Sequence, residues 1–375
     1  MFKELYLDII QEIKKHIIDK RKSIQISLES ILGIITVGIS QNNVSLHHLD
    51  LAGRIEDNRI ICESKRKRVC SDTHFGRLFS EYLEIPEELP YRIFSKIKPY
   101  LPKRTGKCLL IIDGTEQSKR LYSIGALYSI SPFFVGIEKQ EKYGRELNAS
   151  EKLIRRIMPL WKDEIDLIVG DGLYFNINDF KIALEFGKDL FIKTREQNLQ
   201  IVQETESAYR IEKASYWNRV KEKSYLDIER KISYKVFVYK NFQYQNLPKP
   251  LNCYRVEETF LSDDRREVFY CITTATDLGL AEAREIAKRR WQIENNIFRL
   301  GNQACHTKRR FFRQEETNRK YLFLIYLLLS ILYMLYLIGQ YLREFCARNM
   351  HFIHFVRYWI IYSSKLNPNL TFNSG

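Results

Sequence analysis

The sequence has few of the residues that mark fibrous, low-complexity or disulfide-stapled chains. Its 375 residues include 9 prolines and 16 glycines, which excludes a collagen-like or low-complexity protein. The seven cysteines are odd in number and scattered, and no C-x-x-C pair occurs, so neither a disulfide framework nor a zinc ribbon is indicated. The N-terminal stretch carries charges throughout its apolar run and lacks the layout of a secretory signal. We therefore expect a reduced, cytoplasmic setting.

Long uncharged runs are scarce as well, with one exception at residues 321–338 (YLFLIYLLLSILYMLYLI), which contain no charged side chain. As a helix this run is about 27 Å long, which is marginal for crossing a bilayer. Two interpretations stay open, a buried core helix and a membrane-attached protein. We favour the core helix because the rest of the chain has the composition of a globular protein, and we expect no stable membrane association.

Acidic side chains are outnumbered: the chain has 60 Lys and Arg against 46 Asp and Glu, for a net charge of +14. Residues 276–375 alone contain 15 basic and 7 acidic side chains, which is more than half of that excess. Such a charge favours an anionic partner, either nucleic acid or a membrane surface, with general solubility as the alternative. Because hydrophobic residues make up 45% of the chain, a disordered protein is excluded.

Hydrophobic periodicity divides the chain into segments with different predicted secondary structure. The N-terminal part predicts helices, for example over residues 5–18, and ends in a proline-punctuated linker. Apolar runs and helical patterns then follow in the order β-β-β-α-β-α-β, which is typical of an α/β protein with a mixed sheet flanked by helices. The strands of this part are predicted at residues 108–112, 121–129, 133–137, 165–169 and 190–194, and its helices at residues 148–160 and 177–186. The four predicted segments are the all-α residues 1–103, the mixed-sheet residues 104–194, the β-rich insertion 195–275 and the helical residues 276–375.

Three acidic residues occupy positions where a carboxylate is structurally awkward. Asp113 follows the apolar run CLLII, and Asp171 follows the apolar run DLIVG. Functional groups gather at strand ends in α/β sheets, although an Asp-Gly pair is also a common turn. Glu294 lies four residues after Arg290 on a predicted helix, so the two share a face and an exposed salt bridge is the simpler explanation of that pair. The combination of the three acids in this order of elements is more specific than any one of them.

Together these residues resemble the DDE transposases, whose catalytic core is ribonuclease-H-like, and more closely the bacterial insertion-sequence transposases of family four. The resemblance covers about residues 104–340 and rests on Asp113-Gly114-Thr115, on Asp171 with Tyr174 three residues later, and on the segment 270–294 (YCITTATDLGLAEAREIAKRRWQIE). The family signature around the glutamate is Y-x2-R-x3-E-x6-K. This chain keeps Arg290 and Glu294 but has Ala287 and Gly301 at the tyrosine and lysine positions.

The resemblance implies a ribonuclease-H-like sheet interrupted by a β-rich insertion, and a metal-dependent polynucleotidyl transferase. Two Mg²⁺ or Mn²⁺ ions about 4 Å apart suit phosphodiester displacement, and both ions prefer carboxylate oxygens. By analogy, Asp113 would contact both ions, Asp171 and Glu294 one each, and Arg290 would bind a DNA phosphate or orient Glu294. The implied partners are double-stranded DNA, as inverted-repeat ends and target, and a second copy of the chain. We expect the protein at the nucleoid.

The departures at Ala287 and Gly301 keep a second hypothesis open, a catalytically inactive descendant that still binds DNA. Cations interleaved with aromatic residues are suited to contacts with the DNA backbone and to base stacking, although a solvated surface or, for a tryptophan, ordinary core packing explains each one equally simply. The candidate DNA-binding residues, besides Arg290, are Lys65, Arg66, Lys67, Arg68, Trp217, Lys308, Arg309 and Arg310.

Overall fold

A computed structural model describes the chain over most of its length, and the N-terminal part is helical. Leu5, Ile9 and Ile13 are buried on one face of the first helix, while Lys14 and Lys15 lie outside, as an amphipathic helix requires. The helices are α1 (Phe2–His16), α2 (Leu28–Ser40), α3 (Leu46–Arg54), α4 (Asp72–Arg77) with a π-helical turn (Leu78–Tyr82), and α5 (Leu89–Ile97) with a 3-10 turn (Lys98–Tyr100). The described residues are 2–24, 26–41, 44–54, 71–104, 106–117, 120–141, 146–214, 223–228, 230–309 and 311–341.

Serine side chains begin two of these helices. The Ser27 hydroxyl accepts a hydrogen bond from the backbone N–H of Ser30, and the Ser71 hydroxyl accepts one from that of His74. A short antiparallel ribbon of two-residue strands, β1 (Ile18–Asp19) and β2 (Leu83–Glu84), is a small addition to the all-α prediction.

The remaining strands form one nine-stranded sheet in the order β5-β4-β3-β6-β7-β11-β10-β9-β8. The first three strands in sequence are antiparallel neighbours, whereas β6 lies parallel to β3 and β7 parallel to β6. This is the strand order of a ribonuclease-H-like core, so the predicted fold class is confirmed. The strands are β3 (Leu109–Gln117), β4 (Arg120–Tyr128), β5 (Pro132–Lys139), β6 (Leu167–Asp171), β7 (Asp189–Thr194), β8 (Lys223–Asp227), β9 (Ile232–Phe242), β10 (Leu251–Phe260) and β11 (Arg266–Thr273).

The predicted β-rich insertion is not a sheet of its own. Strand β11 pairs antiparallel with β7, so that Thr273 lies opposite Phe191 and the core sheet continues into β10, β9 and β8. The segment also contains helix α8 (Gln200–Ala214), which the sequence did not predict. This helix packs on β9 and β10. The segment boundaries at residues 103, 194 and 275 stay predictions.

Helices cover both faces of the sheet. One face carries α6 (Glu146–Trp161), α7 (Ile177–Glu185) and α8. The opposite face carries α9 (Leu280–Gln292), the π-helix (Ile293–Phe298) that continues it and α11 (Glu315–Tyr341). Between the last two, α10 (Arg299–Cys305) ends at His306, whose φ of 51° lies in the left-handed region. The sequence placed the start of α9 near residue 276, whereas it begins after Gly279.

The uncharged run lies in α11, which is a buried helix of the protein core. It is the one helix in the described ranges that is long and apolar enough to span a membrane, and 83% of its most apolar stretch is buried inside the protein. The Phe134 ring stacks on the Tyr326 ring, and the Ser330 hydroxyl accepts a hydrogen bond from the Phe134 N–H. The Tyr321 hydroxyl donates to the Val44 carbonyl at 2.6 Å, so α11 also holds the N-terminal helices against the sheet.

Candidate active site

Asp113 lies within strand β3, not at its end as its sequence context suggested. The antiparallel pairing with β4 continues to Gln117, whereas the parallel pairing with β6 stops at Ile111 opposite Val169. At the level of Asp113, β3 is therefore no longer paired with β6. The Asp113 side chain is nearly buried, with 7% of the residue exposed, and its Oδ1 accepts a hydrogen bond from the Gly114 N–H at 3.0 Å.

Asp171 is the last residue of β6 and lies at the same level as Asp113. Each aspartate is two residues beyond the last position at which β3 and β6 pair with each other, Ile111 opposite Val169. Because side chains two residues apart share a face of a sheet, both carboxylates project from the same face. The Asp171 Oδ1 accepts a hydrogen bond from the Leu173 N–H at 2.9 Å, which fixes the 3-10 turn (Gly172–Tyr174) that follows the strand.

Arg290 joins the third acid to the first. Its Nη1 donates to Asp113 Oδ2 at 3.2 Å, and its Nη2 donates to Glu294 Oε1 at 2.9 Å. The Arg290 side chain is nearly buried, whereas the Glu294 side chain is 44% exposed. The i, i+4 pair is therefore part of a three-residue bridge and not an exposed salt bridge on a solvated helix. The Arg290 Nε is buried without a hydrogen-bond partner among the described residues.

The electrostatic setting of Asp113 is unfavourable for a carboxylate. Burial, the largest cause, raises its pKa to about 8, and the nearby charges of Glu294, Asp171 and Glu146 act in the same direction, while the Arg290 guanidinium opposes them. The four acids are thus close enough to repel one another electrostatically. A buried excess of negative charge of this kind is relieved by a proton or by a bound cation.

The donor set fits a hard divalent cation in its chemistry, since it consists of carboxylate oxygens on three separate elements. In this conformation, however, no three His, Cys, Asp or Glu side chains of the described ranges are close enough together to hold an ion. The guanidinium of Arg290 binds one oxygen of Asp113 and one of Glu294 in this conformation. A metal site formed from these residues would require the three acids to approach one another.

A glutamate and a tyrosine that the sequence did not single out as a pair lie behind the two aspartates, on the opposite face of the sheet. The Tyr174 hydroxyl donates to Glu146 Oε1 at 2.8 Å, and burial raises the pKa of Glu146. The pair fits because the strands carry glycine there. A Cβ atom at Gly114 would lie 2.2 Å from the Glu146 carboxyl, and one at Gly170 would lie 2.9 Å from the Tyr174 ring. The Asp-Gly and Gly-Asp sequences were a signal for this close packing.

The helix that carries Glu294 changes its winding at that residue. Residues Ile293–Phe298 form a π-helix, which inserts one extra residue per turn relative to an α-helix. Residues beyond Glu294 are therefore displaced by one position relative to a straight α-helix. The two residues that depart from the signature both lie in the protein interior. Ala287 is buried, and a Cβ at Gly301 would lie 2.7 Å from the Tyr326 ring.

The predicted basic stretch after this helix lies partly within the described residues. Lys308 and Arg309 are exposed in the turn after α10. The backbone carbonyl of Arg313, just beyond them, accepts a hydrogen bond from Arg120 at the start of β4, so this stretch reaches the end of the sheet where β3 ends and β4 begins. The remaining candidates lie outside the described residues; they are Lys65, Arg66, Lys67, Arg68, Trp217 and Arg310.

Comparisons with known proteins leave the function of this chain open. No family model and no curated protein matches the sequence. Among solved structures, the chain is similar to one described as a cryo-EM structure of the piggyBac transposase synaptic complex with hairpin DNA. The two share 13% identity over 99% of this chain and 82% of the other, with a TM-score of 0.39. Similarity at this level carries no argument about activity, so function must be inferred from the chain's own residues.

Proposed function

We propose that this chain is a DNA transposase of the DDE type, which cuts DNA ends and joins them to target DNA with divalent metal ions held by Asp113, Asp171 and Glu294. One observation carries the proposal. The two aspartates lie at the same level on neighbouring parallel strands of a ribonuclease-H-like sheet, and Arg290 joins Asp113 to Glu294 on the helix packed over them. This arrangement brings together residues that are 58 and 123 positions apart in the sequence.

The chain's own residues have distinct parts in this chemistry. Bound Mg²⁺ or Mn²⁺ would supply activation of the attacking oxygen and neutralisation of the leaving oxygen. Asp113, central and nearly buried, holds its carboxylate between the other two acids, and the short turn after β6 orients Asp171 through its bond to the Leu173 N–H. Arg290 holds Glu294 beside Asp113 and is the cation nearest to any phosphate at this site.

The charge distribution supports DNA as the substrate. The net charge of +14 is concentrated in the last hundred residues, which include the helix with Glu294 and the exposed Lys308 and Arg309. A second copy of the chain is part of the proposal because the two ends of an element must be processed together.

A catalytically inactive DNA-binding protein is the second candidate, and two observations favour it. The interior positions of Ala287 and Gly301 leave the two DNA-contacting side chains of the family signature without a counterpart. In addition, Arg290 binds one carboxylate oxygen of Asp113 and one of Glu294, and so competes with a metal ion for them. Both candidate functions require DNA binding, so only a measurement of DNA cleavage distinguishes them.

Strand cleavage on DNA from the two flanks of the gene tests the proposal. With Mn²⁺ or Mg²⁺, the wild-type chain should nick this DNA, and Asp113→Asn, Asp171→Asn and Glu294→Gln should each lower the rate by about a hundredfold to a thousandfold. The matched control is Glu185→Gln, which removes an exposed carboxylate that pairs with Arg155 on the other face of the sheet.

Wild-type rates in the three variants would refute the assignment of the acids. Specific binding of the flanking DNA with no cutting in any metal would favour the inactive candidate instead. If the chain neither binds nor cuts that DNA, both candidates fail.

A further inference from the structure

The helix that carries Arg290 lies on strands outside the first part of the core sheet. We define the extension as β8, β9 and β10, the three strands that continue the sheet beyond β11. Helix α9 packs on β9, β10 and β11, whereas the π-helix that follows it, with Glu294, packs on β3 and β5. The position of Arg290 and Glu294 over Asp113 therefore depends on how α9 is attached to the extension.

One side chain of α9 reaches every strand of the extension. The Arg284 side chain is 1% exposed and lies near the start of the helix. Its Nε donates to Glu258 of β10, and its Nη1 donates to Asp227 of β8 at 3.1 Å. The Arg284 Cζ also lies 3.9 Å from the centre of the Tyr234 ring of β9. A single guanidinium thus ties the helix to all three strands.

Asp227 holds a second residue of the same helix. Lys288, one turn after Arg284, donates from Nζ to Asp227 Oδ2 at 2.6 Å, and the same oxygen accepts from Arg284. The hydrogen bonds from Lys288 and Arg284 lower the pKa of Asp227 to about 2, so this carboxylate is charged near neutral pH. Two consecutive turns of α9 are therefore fixed to β8, which opposes sliding and rotation of the helix on the sheet.

Stability alone explains Arg284 poorly. A buried guanidinium loses its hydration, and its ion pairs offset only part of that cost, so apolar side chains often replace buried ion pairs without loss of stability. The cost is larger here because the Arg284 Nη2 is buried without a hydrogen-bond partner among the described residues. A buried ion network instead defines geometry, since each of its hydrogen bonds requires a particular distance and direction.

The attachment is close to the candidate active site along the helix axis. Arg290 follows Arg284 by six residues, a rise of about 9 Å, and the α-helix is continuous between them. A displacement of α9 at Arg284 is therefore carried to Arg290, which donates to Asp113 at 3.2 Å. A shift of about 1 Å breaks a hydrogen bond of that length, and misplacement by this distance can slow an enzyme about a hundredfold.

We propose that Arg284 is a positioning residue of the candidate active site, which holds α9 on the extension so that Arg290 and Glu294 lie over Asp113. Arg284 acts through the helix and does not contact the acids of the site. The attachment of α9 rests on the contacts of Arg284 alone, while its consequence for cleavage rests on the proposed function.

The opposite face of β10 provides a matched control. Arg255 also pairs with two carboxylates, Glu206 at 2.7 Å and Glu257 at 2.8 Å, and its side chain is 11% exposed. Its guanidinium lies 4.2 Å from the centre of the Tyr209 ring and attaches α8 to the sheet. Arg255→Met thus removes the same kind of ion network as Arg284→Met, but on the face of the sheet away from the acids.

Hydrogen exchange of the metal-free full chain, followed by mass spectrometry, measures the attachment itself. Arg284→Met should speed backbone exchange about tenfold in α9 and in the π-helix that carries Glu294, and leave α8 unchanged. Arg255→Met should do the reverse. Wild-type exchange of α9 in Arg284→Met would overturn the inference.

Cleavage kinetics measure the consequence for the site. Arg284→Met should lower kcat by about tenfold to a hundredfold and keep the KM for DNA within about twofold of the wild-type value, because the acids are displaced and the DNA contacts are not. Arg255→Met should lose a similar amount of thermal stability and keep its kcat. An equal fall of kcat in both variants would overturn the inference, because Arg284 would then act only through the stability of the fold.

Asp227→Asn is a milder test in case Arg284→Met does not fold. The asparagine keeps the shape of the side chain and removes the charge that holds both Arg284 and Lys288. Its matched control is Glu257→Gln, which removes one of the two charges at Arg255. Asp227→Asn should lower kcat by about threefold or more, with Glu257→Gln within about twofold of the wild type. Equal kcat values for the two variants would count against the proposal.

The two proposals fail in different experiments. If the wild-type chain does not cut DNA, or if Asp113→Asn still does, the proposed function fails, and hydrogen exchange still decides whether Arg284 holds α9 in place. If the wild-type chain cuts DNA, Asp113→Asn is inactive and Arg284→Met keeps the wild-type kcat, only the further inference fails.

Discussion

Two neighbouring regions on one face of the sheet have opposite charge. The acid cluster, defined as Asp113, Asp171 and Glu294, is crossed by a single cation, Arg290. The cationic cavity next to it, of about 440 Å³, is lined by two acids that pair with arginines, Glu258 and Glu267, and by five cations, Lys193, Arg195, Arg230, Arg265 and Lys288. Helix α9 serves both regions, since Arg290 reaches the acids and the next residue, Trp291, lines the cavity.

The two regions balance their charges in different ways in the absence of a ligand. In the acid cluster, repulsion is relieved internally, by a guanidinium bridge and by the raised pKa of Asp113. In the cavity, the Lys193 ammonium group lies over the Phe269 and Trp291 rings, and no carboxylate of the described residues is within ion-pair distance of it. The first region therefore balances its acids with an arginine, whereas in the second a lysine is balanced by aromatic rings. Each of the following changes removes one part of this contrast.

Removing the bridge should have the largest effect. Arg290→Met leaves the buried Asp113 carboxyl without its hydrogen-bond donor, so the metal-free protein should lose about 1–3 kcal/mol of unfolding free energy near pH 8. Because the competitor for the carboxylates is gone, Mn²⁺ should bind about tenfold or more tightly. Chemical denaturation and titration calorimetry measure the two effects.

Arg289→Met is the matched control, because the Arg289 side chain contacts the Lys107 carbonyl and the Tyr128 ring and not the acids. It should leave Mn²⁺ affinity unchanged. Weaker Mn²⁺ binding by Arg290→Met would show instead that Arg290 organises the metal site.

Asp113→Asn should change the pH dependence of stability. The folded-state pKa of Asp113, about 8, lies above the unfolded value of about 4, so the folded protein holds this proton between those limits. The unfolding free energy of the wild type should therefore fall as pH rises from about 4 to about 8, by up to about 1.4 kcal/mol per pH unit. The asparagine variant should lack this decline, and denaturation at several pH values without metal measures it.

The same variant also shows whether a proton or a metal ion neutralises the Asp113 carboxylate. Added Mg²⁺ or Mn²⁺ should raise the melting temperature of the wild type near pH 8 and leave that of Asp113→Asn unchanged. Equal pH profiles for the two proteins would contradict the electrostatic account of Asp113.

Tyr174→Phe should have the smallest effect, because it acts on the opposite face of the sheet. Loss of the hydroxyl leaves Glu146 without its 2.8 Å donor and should cost about 1–2 kcal/mol of unfolding free energy. Cleavage should change by less than about threefold, since the pair supports the strands and does not contact the substrate. A hundredfold loss of cleavage with normal stability would place Glu146 and Tyr174 in the reaction itself.

The sequence predicted the core elements well where a single local signal was strong. Continuous apolar runs predicted β3 and β6, and helical periodicity placed α6 and α7 to within a few residues of their observed ends. Prediction was poorest between residues 195 and 275, where the polar helix α8 and strands β8 and β10 were not identified. The side chains of these strands alternate only weakly, and the strands are stabilised by cross-strand pairing, β8 with β9 and β10 with β9 and β11, which single-strand propensity does not show.

Part of the candidate site could be predicted from the sequence for the same reason. Asp113 and Asp171 stood out because a carboxylate follows an apolar strand, which is a local feature. Glu146 and Tyr174 were not visible as a pair because their contact depends on two glycines in different strands. The cavity around Lys193 and Trp291 was hidden, since its residues come from four strands and a helix.

The class of fold, the order of the acids and the excess of positive charge follow from the sequence alone, because they depend on composition and on local hydrophobic patterns, whereas the burial of α11 is a result of the structure. Tertiary structure alone decided that the insertion extends the core sheet, that a π-helix shifts the spacing beyond Glu294, and that Arg290 reaches Asp113 as well as Glu294. Charge compensation and strand pairing act through space, between residues such as Arg290 and Asp113 that are 177 positions apart, and so leave no mark in local sequence.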